Sequence, residues 1–180
     1  MIVTVSGEIG AGKSTVARSL AHALHLRHLS AGEVFREEAR RRGVSLAALG
    51  RLAEQDPAID KALDDMQVRA AQGGDILVES RLSGWLIDGD LRIWLKAALP
   101  VRAARVASRD GVSYNQALDD IREREDCERR RYRTVYGVDL GDLTRYHVVL
   151  DTGIWTADDI VDVLLRLARL LQRERSGRPS

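Results

Sequence analysis

Cysteine and phenylalanine each occur once and proline only three times in 180 residues. The single thiol, Cys127, excludes an internal disulfide and a cysteine-rich zinc cluster. No apolar run approaches the ~18–20 residues that cross a bilayer. The opening "MIVTVSGEIG" lacks the basic region and cleavage site of a secretory leader, so the expected location is cytoplasmic. A net charge of +1 lacks the broad positive field of a general nucleic-acid binder. Lysine is scarce too: Lys13, Lys61 and Lys96 are the only ones, and every other basic side chain apart from histidine is arginine. What is present is ordinary globular material, 44% hydrophobic and 31% charged, enough for one domain with a substantial core.

Along the chain, short β-branched runs alternate with helical periodicity. "MIVTVS", "RHLS", "DILVES", "LRIWLKA" and "YHVVLDT" read as strands. "STVARSLAHALHL" carries Val16, Leu20 and Leu24 at helical spacing. "AGEVFREEARRRG" and "SLAALGRLAEQ" are helices separated by Gly43, and "DPAIDKALDDMQVRAAQ" has Asp56 as N-cap and Pro57 at its first position. "VRAARVASRDG" is a short helix ended by Gly111. "SYNQALDDIREREDCERRRYRTVYG" is a long one, with Ser113 and Gln116 as a capping box and Gly137 after its end. The last helix starts at a Thr156 cap, and "SGRPS", 176–180, reads as a frayed tail. The alternation predicts an α/β fold of three layers, α/β/α, around a five-stranded, mainly parallel sheet.

Gly7-Glu8-Ile9-Gly10-Ala11-Gly12-Lys13-Ser14 fits G-x-x-x-x-G-K-[ST], between a strand and a helix. Glycines let successive backbone N–H groups turn inward onto a polyphosphate. The following helix aims its positive dipole end at the same point. Gly7, Gly10, Ala11, Gly12, Lys13, Ser14 and Thr15 are therefore the expected ATP cradle. Lys13 reaches the β- and γ-phosphates, and Ser14 ligates Mg²⁺. Glu79, ending the apolar run "DILVES", is the expected second metal contact.

No Asn-Lys pair occurs, which removes the guanine-reading switches, and the chain is short for a motor ATPase. A small phosphotransferase remains. Its task is mainly positioning and charge stabilisation, for which arginine's bidentate fork is suited. "REREDCERRRYR", 122–133, packs six arginines and four acids into twelve positions. On a helix Arg124, Glu128 and Arg131 share one face, and Glu125 and Arg129 are spaced to pair. Arg122, Arg129, Arg130 and Arg133 fit a solvated face.

The ordered set "SGEIGAGKST", "LSAGEVFRE", "DILVESRLSGW", "RIWLKA", "VRAARVASRDG", "REDCERRRYRTVYGVDL" and "YHVVLDT" resembles the short archaeal-type cytidylate kinases, within the nucleoside monophosphate kinases. The resemblance runs from Met1 to about residue 170. It implies a phosphate-loop NTPase fold over a single domain, 1–180, with a monophosphate-binding insertion at 30–72 and a lid region at 105–135. By resemblance Ser30, Gly32 and Arg36 line the acceptor, and Arg81 is a further acceptor contact, following Ser80 where the family usually has glycine. Arg105 and Arg109 close over the donor phosphates, and Arg124 and Arg131 match arginines of the lid-side helix, with Glu128 beside the substrate. The implied reaction is phosphorylation of CMP or dCMP by ATP with Mg²⁺, in a monomer that binds neither nucleic acid nor membrane. Rival expectations are a phosphate-loop kinase for AMP, UMP or a shikimate-like acceptor and, from another class, a nucleotide-dependent nucleic-acid binder. Trp85, Trp94 and Trp155 are expected to pack in the core or at its edge.

Overall fold

A computed structural model describes residues 1–176; of the frayed tail expected at 176–180, Ser176 instead closes the last helix and 177–180 lie outside the described residues. Five strands, β1 (Ile2–Gly7), β2 (Arg27–Ser30), β3 (Ile76–Glu79), β4 (Leu91–Lys96) and β5 (Val148–Asp151), form one sheet in the order β2-β3-β1-β4-β5. Every pairing is parallel. Helix α1 (Lys13–Ala23) follows β1. Helices α2 (Ala31–Arg42), α3 (Leu46–Gln55) and α4 (Ala58–Gln72) stand between β2 and β3. A short α5 (Ser83–Leu86) precedes β4, then come α6 (Leu99–Asp110), α7 (Tyr114–Tyr136) and, after β5, α8 (Ala157–Ser176).

The strands alternate their faces. Val3, Val5, Leu77, Ile93 and Leu95 pack against Val16 and Leu20 of α1 and Ile160 and Leu164 of α8. Ile76 and Val78 face the other way, onto Ala71 of α4 and Ile87. Each fully buried leucine or isoleucine contributes about 2 kcal/mol of hydrophobic free energy, before the cost of ordering it. On the second face β1 presents Ser6, whose hydroxyl meets Ser83 Oγ at 3.0 Å and accepts from Gly84 N at 3.1 Å, seating α5. Among the described residues no helix is long and apolar enough to cross a membrane.

The helix ends follow local chemistry. Ser30, Ser45 and Ser113 accept from the backbone N–H three residues on. Thr156 and Asp159 cap α8 reciprocally. Gly43, Gly111 and Gly137 end their helices in the left-handed region. Helix α4 starts at Ala58, one residue later than expected, with Pro57 in the N-cap position holding helical dihedrals, while Asp56 Oδ1 accepts from Ala58 N at 3.1 Å. Two further differences stand out. Helix α6 starts at Leu99, with Pro100 in its first turn, two residues before the run "VRAARVASRDG". Helix α5, four residues long, is too short to show a period.

From β1 the chain crosses toward β2, whereas from β3 it crosses to β4 on the far side of β1. Strands β1 and β3 therefore flank the topological switch point, and ligand crevices in open α/β sheets form there, beyond the strands' C-terminal ends.

Candidate active site

A cavity of about 490 Å³ opens at this switch point. Its floor is the turn between β1 and α1. Gly7 allows the backbone to press against β4, since a Cβ there would lie 2.1 Å from the Leu95 carbonyl oxygen. Gly12, with φ 79°, turns the chain into α1 through a conformation that other residues avoid. Gly10, Ala11, Gly12, Lys13, Ser14 and Thr15 all line the cavity. Gly7 does not reach its wall; its carbonyl instead accepts from Lys13 Nζ at 3.1 Å.

Lys13 also donates to the Glu8 carbonyl at 2.7 Å. Burial and the neighbouring Arg81 guanidinium push its ammonium down to about 7. Ser14 Oγ donates to Glu79 Oε1 at 2.6 Å, and His28 Nε2 stands 3.5 Å from the other carboxylate oxygen. Burial works against ionisation of Glu79, but the neighbouring His28 ring, the hydrogen bond from Ser14 and the charge of Lys13 prevail, holding the carboxyl below its ordinary value. These are hard oxygen donors of the kind magnesium takes, with room for its waters in the cavity. Among the described residues no cluster of three or more His, Cys, Asp or Glu side chains could hold another ion.

The arginines converge from separate elements. Arg81, in the turn after β3, donates from Nε to Glu128 Oε2 at 2.6 Å, and its Nη1 donates to the Gly7 carbonyl. Ser80 does not need glycine's freedom there: it holds no positive φ, and its hydroxyl accepts from Leu82 N at 3.1 Å, closing the turn. Arg124, Glu128 and Arg131 of α7 line the cavity together, as their spacing on one helix face requires. Arg36 of α2 reaches the same space and has no hydrogen bond or ion pair among the described residues. Arg105 donates to Thr152 Oγ1 at 2.8 Å and to the Thr152 carbonyl at 2.7 Å, which holds it over Gly12. Arg109 forms a two-pronged pair with Asp110 at the rim. Gly32 lines the cavity. Ser30 does not, since its hydroxyl serves as the cap of α2.

Several contacts differ from the sequence reading. Glu125 does not pair with Arg129: it accepts from Arg102 Nη1 at 2.7 Å, while Arg129 takes Asp126. The reason is depth: Arg102 is buried and needs a charge partner, whereas Arg129 is exposed. Arg102 also donates to the Ile9 carbonyl at 3.0 Å and lies 3.3 Å from Glu8 Oε2, bracing the phosphate loop from behind. Arg131 is 5% exposed and is held by Asp60 and by the Gly50 carbonyl, so it is a packing residue as well as a wall residue. Trp155 is not in the core; it is 57% exposed at the cavity's edge, whereas Trp94 is buried.

Sequence reasoning passed over Asp60, Asp64 and Gln67, which form a buried polar stripe of α4 on the cavity wall. Their i, i+4, i+7 spacing was the available signal. Burial, together with the like charges of Asp64 and Glu128, pushes the Asp60 carboxyl up to about 6 against the pull of Arg131. Cys127 is an inert buried thiol, pushed up to about 11 by burial.

A family model described as an AAA domain matches residues 6–138. A protein named cytidylate kinase from Methanothrix thermoacetophila is 45% identical over 96% of this chain and 100% of its own length. Another of that name, from Methanocella arvoryzae, is 43% identical over 92% of this chain and 95% of its own. Among solved structures, shikimate kinase from Bacteroides thetaiotaomicron superposes with a TM-score of 0.60 at 13% identity, covering 94% of this chain and 98% of that one. A gluconokinase from Sinorhizobium meliloti gives 0.61 at 20% identity, covering 98% and 97%; at such identities the likeness shows the fold alone. With archaeal relatives matched nearly end to end, the chain belongs to the cytidylate kinase family.

Proposed function

We propose that this protein moves the γ-phosphoryl group of ATP directly onto CMP or dCMP, giving ADP and CDP or dCDP. A phosphate oxygen of the acceptor forms the new bond to phosphorus, and the bond to the β–γ bridging oxygen breaks in line with it. The acceptor phosphate is already anionic at neutral pH, so no general base is required. The observation that carries the reading is electrostatic. Lys13 and six arginines line one cavity with four carboxylates, leaving a positive excess around the phosphate loop. Two polyanions must meet there, and preorganised cations are what such a reaction needs.

Gly10 and Gly12 direct backbone N–H groups at the donor's phosphates, Ala11 lines the cradle while its own N–H ties the loop to the Glu8 carbonyl at 3.2 Å, and Gly7 sets the loop against β4. Lys13 exchanges its two carbonyl contacts for the β- and γ-phosphates. Ser14 and Glu79 would hold Mg²⁺, which shields charge between the donor's phosphates when bound. Arg105 and Arg109, with Thr15, take the donor side. Arg36, from the segment 30–72 that α2, α3 and α4 make the acceptor-binding part, and Arg81, from the turn after β3, take the acceptor phosphate. Ser30 contributes by capping the helix that carries Gly32 and Arg36. Glu128 keeps the Arg81 fork oriented, and Arg124 and Arg131 complete the charge around the transferring group. Closure of the region 105–135 would exclude water, the competing acceptor. Every group in this scheme lies on one chain, which suits a monomer.

The test is a coupled assay of diphosphate formation with CMP, dCMP, UMP and AMP at fixed ATP. Fast turnover with CMP and dCMP supports the reading. Phosphate release without any acceptor product contradicts it.

A further inference from the structure

Gln67 sits on the cavity wall at 1% exposure, and its Oε1 has no hydrogen-bond partner. Three other orphaned polar atoms belong to residues of that wall, and each faces an oppositely charged or titratable group. Asp60 Oδ2 and Arg131 Nε face each other, and Glu79 Oε2 faces His28. Gln67 Oε1 faces none. A buried acceptor left unmade is costly, so a ligand that brings a donor there gains the difference.

The amide's orientation is fixed by what surrounds it. Gln67 Nε2 donates to Asp64 Oδ1 at 2.9 Å and toward the Leu63 carbonyl at 3.4 Å. A carbonyl can only accept, so the NH₂ end must point that way. Asp64 is itself held as an acceptor, because Tyr136 donates its hydroxyl to Oδ2 at 2.5 Å. Burial and the Asp64 hydrogen bond raise the Tyr136 phenol far above its ordinary value, so it stays a donor. Tyr136, Asp64 and Gln67 thus form a relay from α7 to α4 that ends, on the cavity wall, in one buried acceptor without a partner. Phe35 and Leu63 add apolar wall beside it, the surface a flat ring needs.

We propose that Gln67 Oε1 accepts from the exocyclic amine of the cytosine ring, with Asp64 as the positioning residue that fixes the amide so that an amino group is received and a carbonyl refused. This rests on the pyrimidine-monophosphate reading above and deepens it: it names the atom that separates cytosine from uracil. Uracil presents a carbonyl oxygen in the amine's place, two acceptors would meet, and a site built around one hydrogen bond discriminates strongly against the partner that cannot make it.

The experiment measures kcat/KM for CMP, UMP and the CMP analogue whose ring lacks the 4-amino group. It uses the unaltered enzyme, Asp64→Asn and Gln67→Met. The unaltered enzyme should favour CMP over both other acceptors by about a hundredfold or more. In Asp64→Asn, Oδ1 can still accept from Tyr136 while the new amide N–H donates to Gln67 Oε1. The Gln67 amide then turns its NH₂ to the ring, so CMP turnover falls and UMP turnover rises above that of the unaltered enzyme. In Gln67→Met, CMP should fall to the level of the deaminated analogue, which itself should not change. Equal losses with all three acceptors would assign α4's polar stripe a structural role and overturn the inference. So would an unaltered enzyme that uses the deaminated analogue as well as CMP, an arm that needs no variant to fold. An unaltered enzyme that phosphorylates no pyrimidine monophosphate would sink the reaction itself, a separate failure.

Discussion

Glu128 Oε2 accepts from Arg81 Nε at 2.6 Å, joining the turn after β3 to the middle of α7. Burial disfavours the Glu128 charge, but the guanidiniums of Arg81, Arg124 and Arg131 outweigh it and hold the carboxyl below its ordinary value. This carboxylate therefore stands against three guanidiniums, of which Arg131 is also paired with Asp60. Glu128→Ala should cost about 3–5 kcal/mol of stability in a denaturant titration. Saturating ATP and CMP should raise the melting temperature more in the variant than in the parent, because phosphate oxygens then supply the missing negative charge. Equal ligand shifts would deny that these guanidiniums face the substrates.

Among the described residues the Lys13 ammonium hydrogen-bonds to two carbonyls, and it lies against a like charge, Arg81, that with burial outweighs the pull of Glu79 and Glu128. Lys13→Met should leave the melting temperature unchanged or slightly higher, while kcat drops by about 10²–10³-fold. Parallel melts and initial rates would show it.

The same ammonium sets a pH dependence. Its value of about 7 in the nucleotide-free protein means it is charged below that pH and increasingly neutral above it. A bound polyphosphate favours the charged form, so binding must take up a proton at pH 8 but not at pH 6. ATP affinity should weaken as pH rises from 7 to 9. Calorimetry at pH 8 in buffers of different ionisation enthalpy should detect uptake approaching one proton, absent in Lys13→Met.

Arg131 differs from Lys13 because Asp60 depends on it. In Arg131→Met the Asp60 carboxyl, already at about 6 against an ordinary 3.8, should rise further, since burial and the charges of Asp64 and Glu128 are then unopposed. A raised acid favours the folded state at low pH. That advantage is complete below 3.8 and is lost as pH climbs through the folded-state value. The variant should therefore lose about 3–5 kcal/mol at pH 8 and much less at pH 5. Adding Asp60→Asn should restore stability at pH 8 without restoring turnover. Chemical denaturation at both pH values checks the sign.

These residues also show which parts of the molecule could be read in advance. The phosphate loop was legible because its chemistry is local: Gly7 to Ser14 carry the backbone freedom, the cation and the hydroxyl within eight positions. The five strands and the caps expected at Ser113, Thr156, Gly43, Gly111 and Gly137 followed from period and capping residues, whereas the order of the strands in the sheet did not. Pairings across the fold were not legible. Glu125 had Arg129 four residues away, yet Arg102, remote in sequence, claims it because burial makes an unpaired guanidinium far more costly than an exposed one. Asp60, Asp64 and Gln67 went unremarked because polar residues at i, i+4, i+7 on a helix ordinarily face water. Only the placement of α4 between the sheet and α7 turns them inward. Trp155 was expected in the core or at its edge by residue type, but its place in the turn after β5 leaves it largely exposed beside the cavity.

The most direct measurement incubates the enzyme with CMP and ATP labelled in the γ-phosphate, and separates the nucleotides by chromatography. The account predicts that label appears in CDP, one ADP forms for each CDP, and little free phosphate is released whether or not CMP is present. Label that goes to free phosphate while CMP stays unconverted would contradict it.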